Sequence, residues 1–532
     1  MAASAEAVLA RHELLCFRRA FPRGAAELDR TLRELARFER RVRPVRDGLE
    51  NTGIAGTLYR YPYNHRMARW FADRYGSAVE IDWAAYKRHR WDEVAATLTL
   101  CTAWAESEGL DDEDVPSWEW IERARRGSGK TALRWLLDAL DRQRFDDRLA
   151  AHLYESANLQ LVWDLSGCRD SVTRARLPVR RVFYHRTLER ARPADFAAEV
   201  RGGPVPPLEL LSPPRARRIL DAARAALSQR EREFHAIVHG NPGEVYRFDA
   251  GRGLEIYAVG LERPLRLTLE ADYGAFLVKN GVPIGYGYAA LLFDRADIAI
   301  NVFPTYRSGE SPRVFARFAA LFHHHFGQRK LVMRRYQLGH RNPEGIEAGS
   351  FWFYYKLGFR PVGAAARAAA RAEEVRLARR KGSRSSPETL RRLARSDLVL
   401  CLDGTPVERF RDFDVKRAGL AVTRRIERRF AGDRRRAVEA MARRVGGALG
   451  IPPARAARLR MTPVAALVED LPRWPEADRG KLRAALLAKE APRERAYVLA
   501  TLRAPRFEEW CRRVLGSDRP IRTRRGAGKR RA

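Results

Sequence analysis

The sequence predicts an α+β fold: a central mixed β-sheet flanked by helices, with largely α-helical N- and C-terminal regions. Three observations carry this. Short β-rich runs separated by Gly, Asp, Asn and Pro fill residues 244 to 303. Apolar residues at helical spacing fill both flanks. Between them the aromatic run FWFYYKLGF, Phe351 to Phe359, reads as a helix that stops on Gly358 and turns at once into a strand.

Taken in order, Leu28 to Leu35, Asp92 to Trp104 and Ala132 to Leu140 are amphipathic helical runs. Leu177 to His185 reads as a short strand that opens a new domain. Pro-rich breaks at 204–207 and 212–214 follow, and the second leads into a helix from Ala216 to about His235. GEVYRFDA, GLEIYAVGL, PLRLTLEA, YGAFLVKNG and VPIGYGYAALLF then read as strands. Asn280-Gly281 marks a hairpin, because both turn positions need φ > 0. Ala296 to Phe303 is a strand ending at Pro304, followed by a loop and a helix from about Arg313 to Phe326, which Gly327 stops. Lys330 to Tyr336 is a further strand. These readings divide the chain into a helical N-terminal region (1–175), a central domain (176–365), a basic helical C-terminal region (366–518) and an unstructured basic tail (519–532).

The charge is unusual. Lys+Arg number 101 against 66 Asp+Glu, a formal net charge of +35, and about +24 of it lies after residue 365. Such a field attracts polyanions such as RNA, DNA or a ribosome, although an Arg-biased solvated surface carries the same composition. The five cysteines are far apart and lack zinc-ligand spacing, so they read as reduced thiols of a cytoplasmic protein. No apolar segment approaches the ~20 residues that span a bilayer, and the N-terminus lacks the pattern of a signal peptide. Gly127-Ser128-Gly129-Lys130-Thr131 is not a P-loop, because Ala124 stands where the first Gly belongs and helix rather than strand precedes it. His323, His324 and His325 point in different directions on a helix and do not make one metal site.

Two motifs carry chemistry. A strand that feeds small residues into a helix N-terminus makes an anion site from free N–H groups and the helix dipole, and INVFPTYRSGESPRVFARF, Ile300 to Phe318, has this form. In it Ser308, Gly309 and Ser311 let backbone approach a phosphate closely, and Arg307 supplies charge. Farther on comes Glu347-Ala348-Gly349-Ser350-Phe351-Trp352-Phe353-Tyr354-Tyr355-Lys356-Leu357-Gly358-Phe359. In this order, behind an Asn-Gly hairpin, the two motifs resemble those of the GNAT N-acetyltransferase superfamily: Val-x-Pro-x-Tyr-Arg with a Gly-rich pyrophosphate loop, then Asn-x-x-Ala-x-x-x-Tyr-x-Lys-x-Gly-Phe. The likeness covers roughly residues 250 to 365. The chain departs from it in a loop one residue shorter, in Glu310 inside the loop, and in Glu347 and Ser350 where the family has Asn and Ala.

The resemblance implies an acyltransferase that moves an acetyl or other acyl group from acyl-CoA, as donor substrate and without a metal, to an amine. Val302, Phe303, Arg307, Ser308, Gly309 and Ser311 would hold the CoA, with backbone amides near Val302 and Phe303 polarising the thioester carbonyl. Tyr354 would be the acid that protonates the leaving thiolate. The base is open between Glu347, Glu344 and Asp297. The polar stretch Tyr336 to Asn342 would line a substrate cleft. Two alternatives stand beside this one: a non-catalytic scaffold of the same fold that binds RNA, DNA or a ribosome through its basic flanks, and a tRNA-dependent aminoacyl transferase.

Overall fold

A computed structural model describes residues 4–88, 94–110, 115–190, 195–203, 205–379 and 382–516. The basic tail read at 519–532, and the start of the helical run at Asp92-Glu93, lie outside the described residues.

The molecule is α+β, as its sequence predicts. Its N-terminal region contains more than helices. The strands β1 (Leu58–Tyr61), β2 (Val79–Ile81) and β3 (Leu161–Asp164) form a small antiparallel sheet in the order β1-β3-β2. Trp163, Phe71 and Tyr154 are buried against it in a core of their own.

The large sheet has nine strands: β4 (Leu208–Leu210), β5 (Gly240–Gly251), β6 (Leu254–Leu261), β7 (Ala271–Lys279), β8 (Val282–Leu292), β9 (Arg295–Val302), β10 (Lys330–Met333), β11 (Arg360–Pro361) and β12 (Leu398–Cys401). Their order is β11-β12-β10-β9-β8-β7-β6-β5-β4. All neighbours are antiparallel except β9 and β10, which are joined by the Ser311–Phe326 helix and run parallel. Such a crossover needs a helix, and this one covers one face of the sheet. There a Cβ on Gly287 would stand 2.8 Å from Ala299 O and 3.0 Å from the Phe318 ring. The hairpin between β7 and β8 turns on Asn280 (φ 48) and Gly281 (φ 82), as the Asn-Gly pair predicts. Asn280 does more than turn: its amide donates to the carbonyls of Ala20 and Phe183 at 2.9 and 3.0 Å.

Several expected elements differ. Leu177 to His185 is not a strand; it runs irregularly over the hairpin tip, tied by Leu177 N–H to Gly281 O and Phe183 N–H to Asn280 Oδ1. Pro178 cannot donate to a ladder, which is why this apolar run does not pair. PLRLTLEA is mostly irregular and begins in a 3-10 turn, Arg263–Leu265, with Pro264 inside it. The helix expected to run on to about His235 ends at Ser228. β10 stops at Met333, three residues before the expected end, and a 3-10 turn, Arg335–Leu338, follows. The C-terminal region, expected to be helical, supplies β12 to the sheet, pairing with both β10 and β11. The aromatic helix is Ser350–Tyr355, separated from Pro343–Glu347 by Gly349 (φ 62), and Gly358 (φ 96) ends the turn after it.

A cavity where two parallel strands part

β9 and β10 are hydrogen-bonded partners only over Arg295–Lys330, Ala296–Leu331 and Asp297–Val332. Beyond that point β9 continues for five residues to Val302 while β10 ends after one more. The strands therefore open into a V. Alternation along the β8–β9 ladder fixes which backbone groups face the opening. Phe303 N–H bonds Ile284 O, so Asn301 also faces β8, and Ile300 and Val302 present their N–H groups to the gap. The amide of Phe303, expected to face a thioester, is thus spent in the sheet, and its ring lies beneath Arg230 at 3.9 Å.

A cavity of about 780 Å³ occupies this opening. It reaches both faces of the sheet. On the crossover-helix face it meets Arg307, Ser311, Phe315, Phe353 and Tyr354. On the other face it meets Phe234, Asp272, Tyr286 and Tyr288. The register explains the second set: Tyr286 is opposite Asn301 and Tyr288 opposite Ala299 on β8–β9, and Asp272 is opposite Ala290 on β7–β8, so all share one face.

The loop from Phe303 to Glu310 enters the Ser311–Phe326 helix beside the cavity. Gly309 is needed there, because a Cβ would stand 2.5 Å from the ring of Phe21, which follows the N-terminal Ala5–Ala20 helix. Ser308 is exposed, Ser311 Oγ donates to Arg307 O at 3.0 Å, and Arg307 Nε donates to Val302 O at 3.0 Å. The N–H groups of Ser308, Glu310, Ser311 and Arg313 bond no acceptor among the described residues. Glu310 does not face this loop's exterior. Its carboxylate is buried, 2.6 Å from Lys279 Nζ, 2.5 Å from Arg252 and 3.4 Å from His185 Nδ1. Burial opposes its charge, yet His185, Lys279 and Arg252 together hold its carboxyl far below the usual range. Burial in turn draws Lys279 down to about 8, against the pull of Glu310.

Tyr354 lines the cavity with its ring packed edge-on against Phe315 (5.5 Å) and Phe359 (5.9 Å). Burial pushes the phenol pKa up, so the hydroxyl is protonated at neutral pH. Glu347 is not brought near it: that carboxylate is exposed and lines a separate groove. Glu344 reaches the cavity but is exposed and within 3.7 Å of Arg307 and 3.6 Å of Arg232. Asp297 lies outside the cavity lining and bonds Arg334 Nε at 2.7 Å.

A second carboxyl that meets the cavity, and one shielded from solvent, is Asp272, which the sequence reading passed over. Its Oδ1 is buried and has no hydrogen-bond partner among the described residues. Burial, then the charges of Glu494 and Glu270, push its pKa up to about 7 despite Lys489. Lys489 and Glu494 belong to the C-terminal region, where Lys489 Nζ is 2.9 Å from Glu270 O and Glu494 N–H donates to Glu244 at 2.8 Å. The signal available in the sequence was a single acid inside the strand ADYGAFLVK. Only the register shows that it faces a cavity.

His323, His324 and His325 bond three different carbonyls, of Gln328, Val200 and Pro206, at 2.8 to 2.9 Å. Lys130 of the GSGKT loop pairs with Asp138 at 2.7 Å between two helices. No group of His, Cys, Asp and Glu among the described residues is arranged to hold a metal ion. No helix among the described residues is long and apolar enough to cross a membrane. No family model, curated protein or solved structure matches this chain.

Proposed function

We propose that the protein is an acyl-CoA-dependent N-acyltransferase of GNAT type. One observation carries this reading: the parallel pair β9–β10 opens into a cavity that joins an amide-rich loop, a protonated tyrosine on one face and, on the other, a carboxylate whose Oδ1 has no hydrogen-bond partner among the described residues. The two parting strands give an extended pantetheine-like chain a backbone edge, with the N–H groups of Ile300 and Val302 to bond it. The loop amides at Ser308 and Ser311 and the Arg307 guanidinium take the pyrophosphate, and Glu310 is turned inward onto Lys279 and Arg252.

In the reaction Asp272 removes a proton from the acceptor ammonium, and the free amine attacks the thioester carbonyl. The N–C bond forms and the C–S bond breaks, Tyr354 gives its proton to the leaving thiolate, and the proton that the nitrogen loses as the neutral amide forms returns to the Tyr354 phenolate. A base with a pKa near the working pH and a phenol still protonated there are matched to these tasks. The acetyl group is the simplest acyl moiety to offer. The test is thiol release from acetyl-CoA in the presence of a panel of primary amines. Release that requires both amine and Tyr354 is expected. No release with any amine, from protein that binds no acetyl-CoA, overturns the reading.

A second reading is favoured by a groove in the C-terminal region. Arg424, Arg425, Arg428 and Arg429 of the Lys416–Phe430 helix line it with Arg513 and Trp510, against two carboxylates, Glu469 and Asp470. Burial, then the charges of Arg444 and Arg429, lower the pKa of Arg425 against the pull of Glu469. We propose that this surface takes a polyanion such as RNA, either beside the acyl transfer or in place of it. Affinity for RNA that falls steeply with salt supports it, and salt-independent or absent binding counts against it.

A further inference from the structure

Behind the Ser350–Tyr355 helix lies a second cavity of about 990 Å³, between that helix, the Gly339–Pro343 segment and the Pro387–Leu393 helix. Its charge is one-sided. Arg341, Lys356, Arg384, Arg391 and Arg395 line it, all exposed, and Glu347 is its one carboxylate. None of the five cations forms an ion pair among the described residues. Trp352 lines the groove and is held in place: its Nε1 donates to Ser385 Oγ at 2.9 Å, and Ser385 Oγ donates to Glu373 at 2.6 Å. Asn342 and Ala348 line both this groove and the cavity at the parted strands, so the two are contiguous.

We infer that this groove binds a phosphorylated small molecule of nucleotide size, whose amine reaches Asp272 and Tyr354 past Asn342 and Ala348. The volume is that of a small-ligand pocket, not of a polymer track. Five cations with no ion pair among the described residues, against one carboxylate, call for a multiply charged anion, and the Trp352 ring offers a stacking surface for a ring. The acceptor role rests on the acyltransferase reading, whereas anion binding by the groove does not.

Calorimetric titrations of ATP, pyrophosphate, a twelve-residue oligouridylate and acetyl-CoA, each alone, test it on the full chain. The double variant Arg391→Glu/Arg395→Glu and the single variant Lys356→Glu all alter exposed side chains. ATP and pyrophosphate are expected to bind the parent protein, and both variants are expected to weaken ATP at least 10-fold while leaving acetyl-CoA affinity within 2-fold. Absence of ATP and pyrophosphate binding overturns the inference. So does an equal loss of acetyl-CoA binding in the variants, which would make the groove part of the donor site. Oligouridylate binding that ATP does not displace, lost in the same variants, also overturns it in favour of a polymer surface. If acetyl-CoA fails to bind while ATP binds as expected, the donor reading falls and the anion site stands.

Discussion

Two carboxylates near the central strands, Glu310 buried and Asp272 half-buried with one oxygen shielded, behave in opposite ways. Glu310, at the head of the crossover helix, is surrounded by Lys279, Arg252 and His185, and its pKa is driven down. Asp272, on β7, has an oxygen with no partner among the described residues, with Glu270 and Glu494 as electrostatic neighbours, and its pKa is driven up to about 7. Burial costs both of them; only Glu310 is compensated. A compensated buried acid holds structure together, and here it fixes the loop that leads into the helix. An uncompensated one at a cavity wall is available to move a proton.

Exchanging the chemistry at each site should therefore have different consequences. Asp272→Asn is expected to lower kcat/KM for acyl transfer by about 10²–10⁴-fold, with the protein still folded. Glu310→Ala is expected to cost about 3–5 kcal/mol in denaturant unfolding, because Lys279 would remain buried without its counter-charge. An equal loss of stability from Asp272→Asn would erase the distinction. Tyr354→Phe is expected to remove about 10²-fold from kcat with an unchanged unfolding midpoint, since the hydroxyl has no hydrogen bond to lose among the described residues.

The pH dependences should also have opposite signs. An unperturbed Asp titrates near ~4, so between there and about 7 the folded chain keeps a proton on Asp272 that the unfolded chain has lost. Its contribution to stability is present at low pH and is lost as pH rises through about 7. Glu310 is depressed, so its contribution is present above the ordinary Glu value and is lost as pH falls below it. Urea midpoints of Asp272→Asn should accordingly exceed those of the parent at pH 8 and approach them near pH 5. A constant difference at both pH values would contradict the assignment.

Local signals in the sequence located much of this. The Asn280-Gly281 turn, the Gly327 and Gly358 stops and the strand–loop–helix at Val302 to Ser311 all depend on nearest-neighbour backbone geometry, which residue types reveal directly. What stayed hidden depends on distant chain. β12 is only four residues long and is a strand because β10 and β11 present edges to it. Glu310 looked like an acid in an anion loop because its partners Lys279, Arg252 and His185 are 31 or more residues away. Asp272 looked like one polar residue in a strand; only strand register shows where it faces, and its pKa rises through burial and then the charge of Glu494, far along the chain.

The central claim is that the opening between β9 and β10 receives an acyl-CoA. Its most direct test is calorimetric titration of acetyl-CoA into the parent protein and into Ser350→Trp, which places a large ring on the half-buried cavity wall. Micromolar binding to the parent protein and its loss in the folded variant are the predicted results. No binding to the parent, or equal binding to both, would contradict the account.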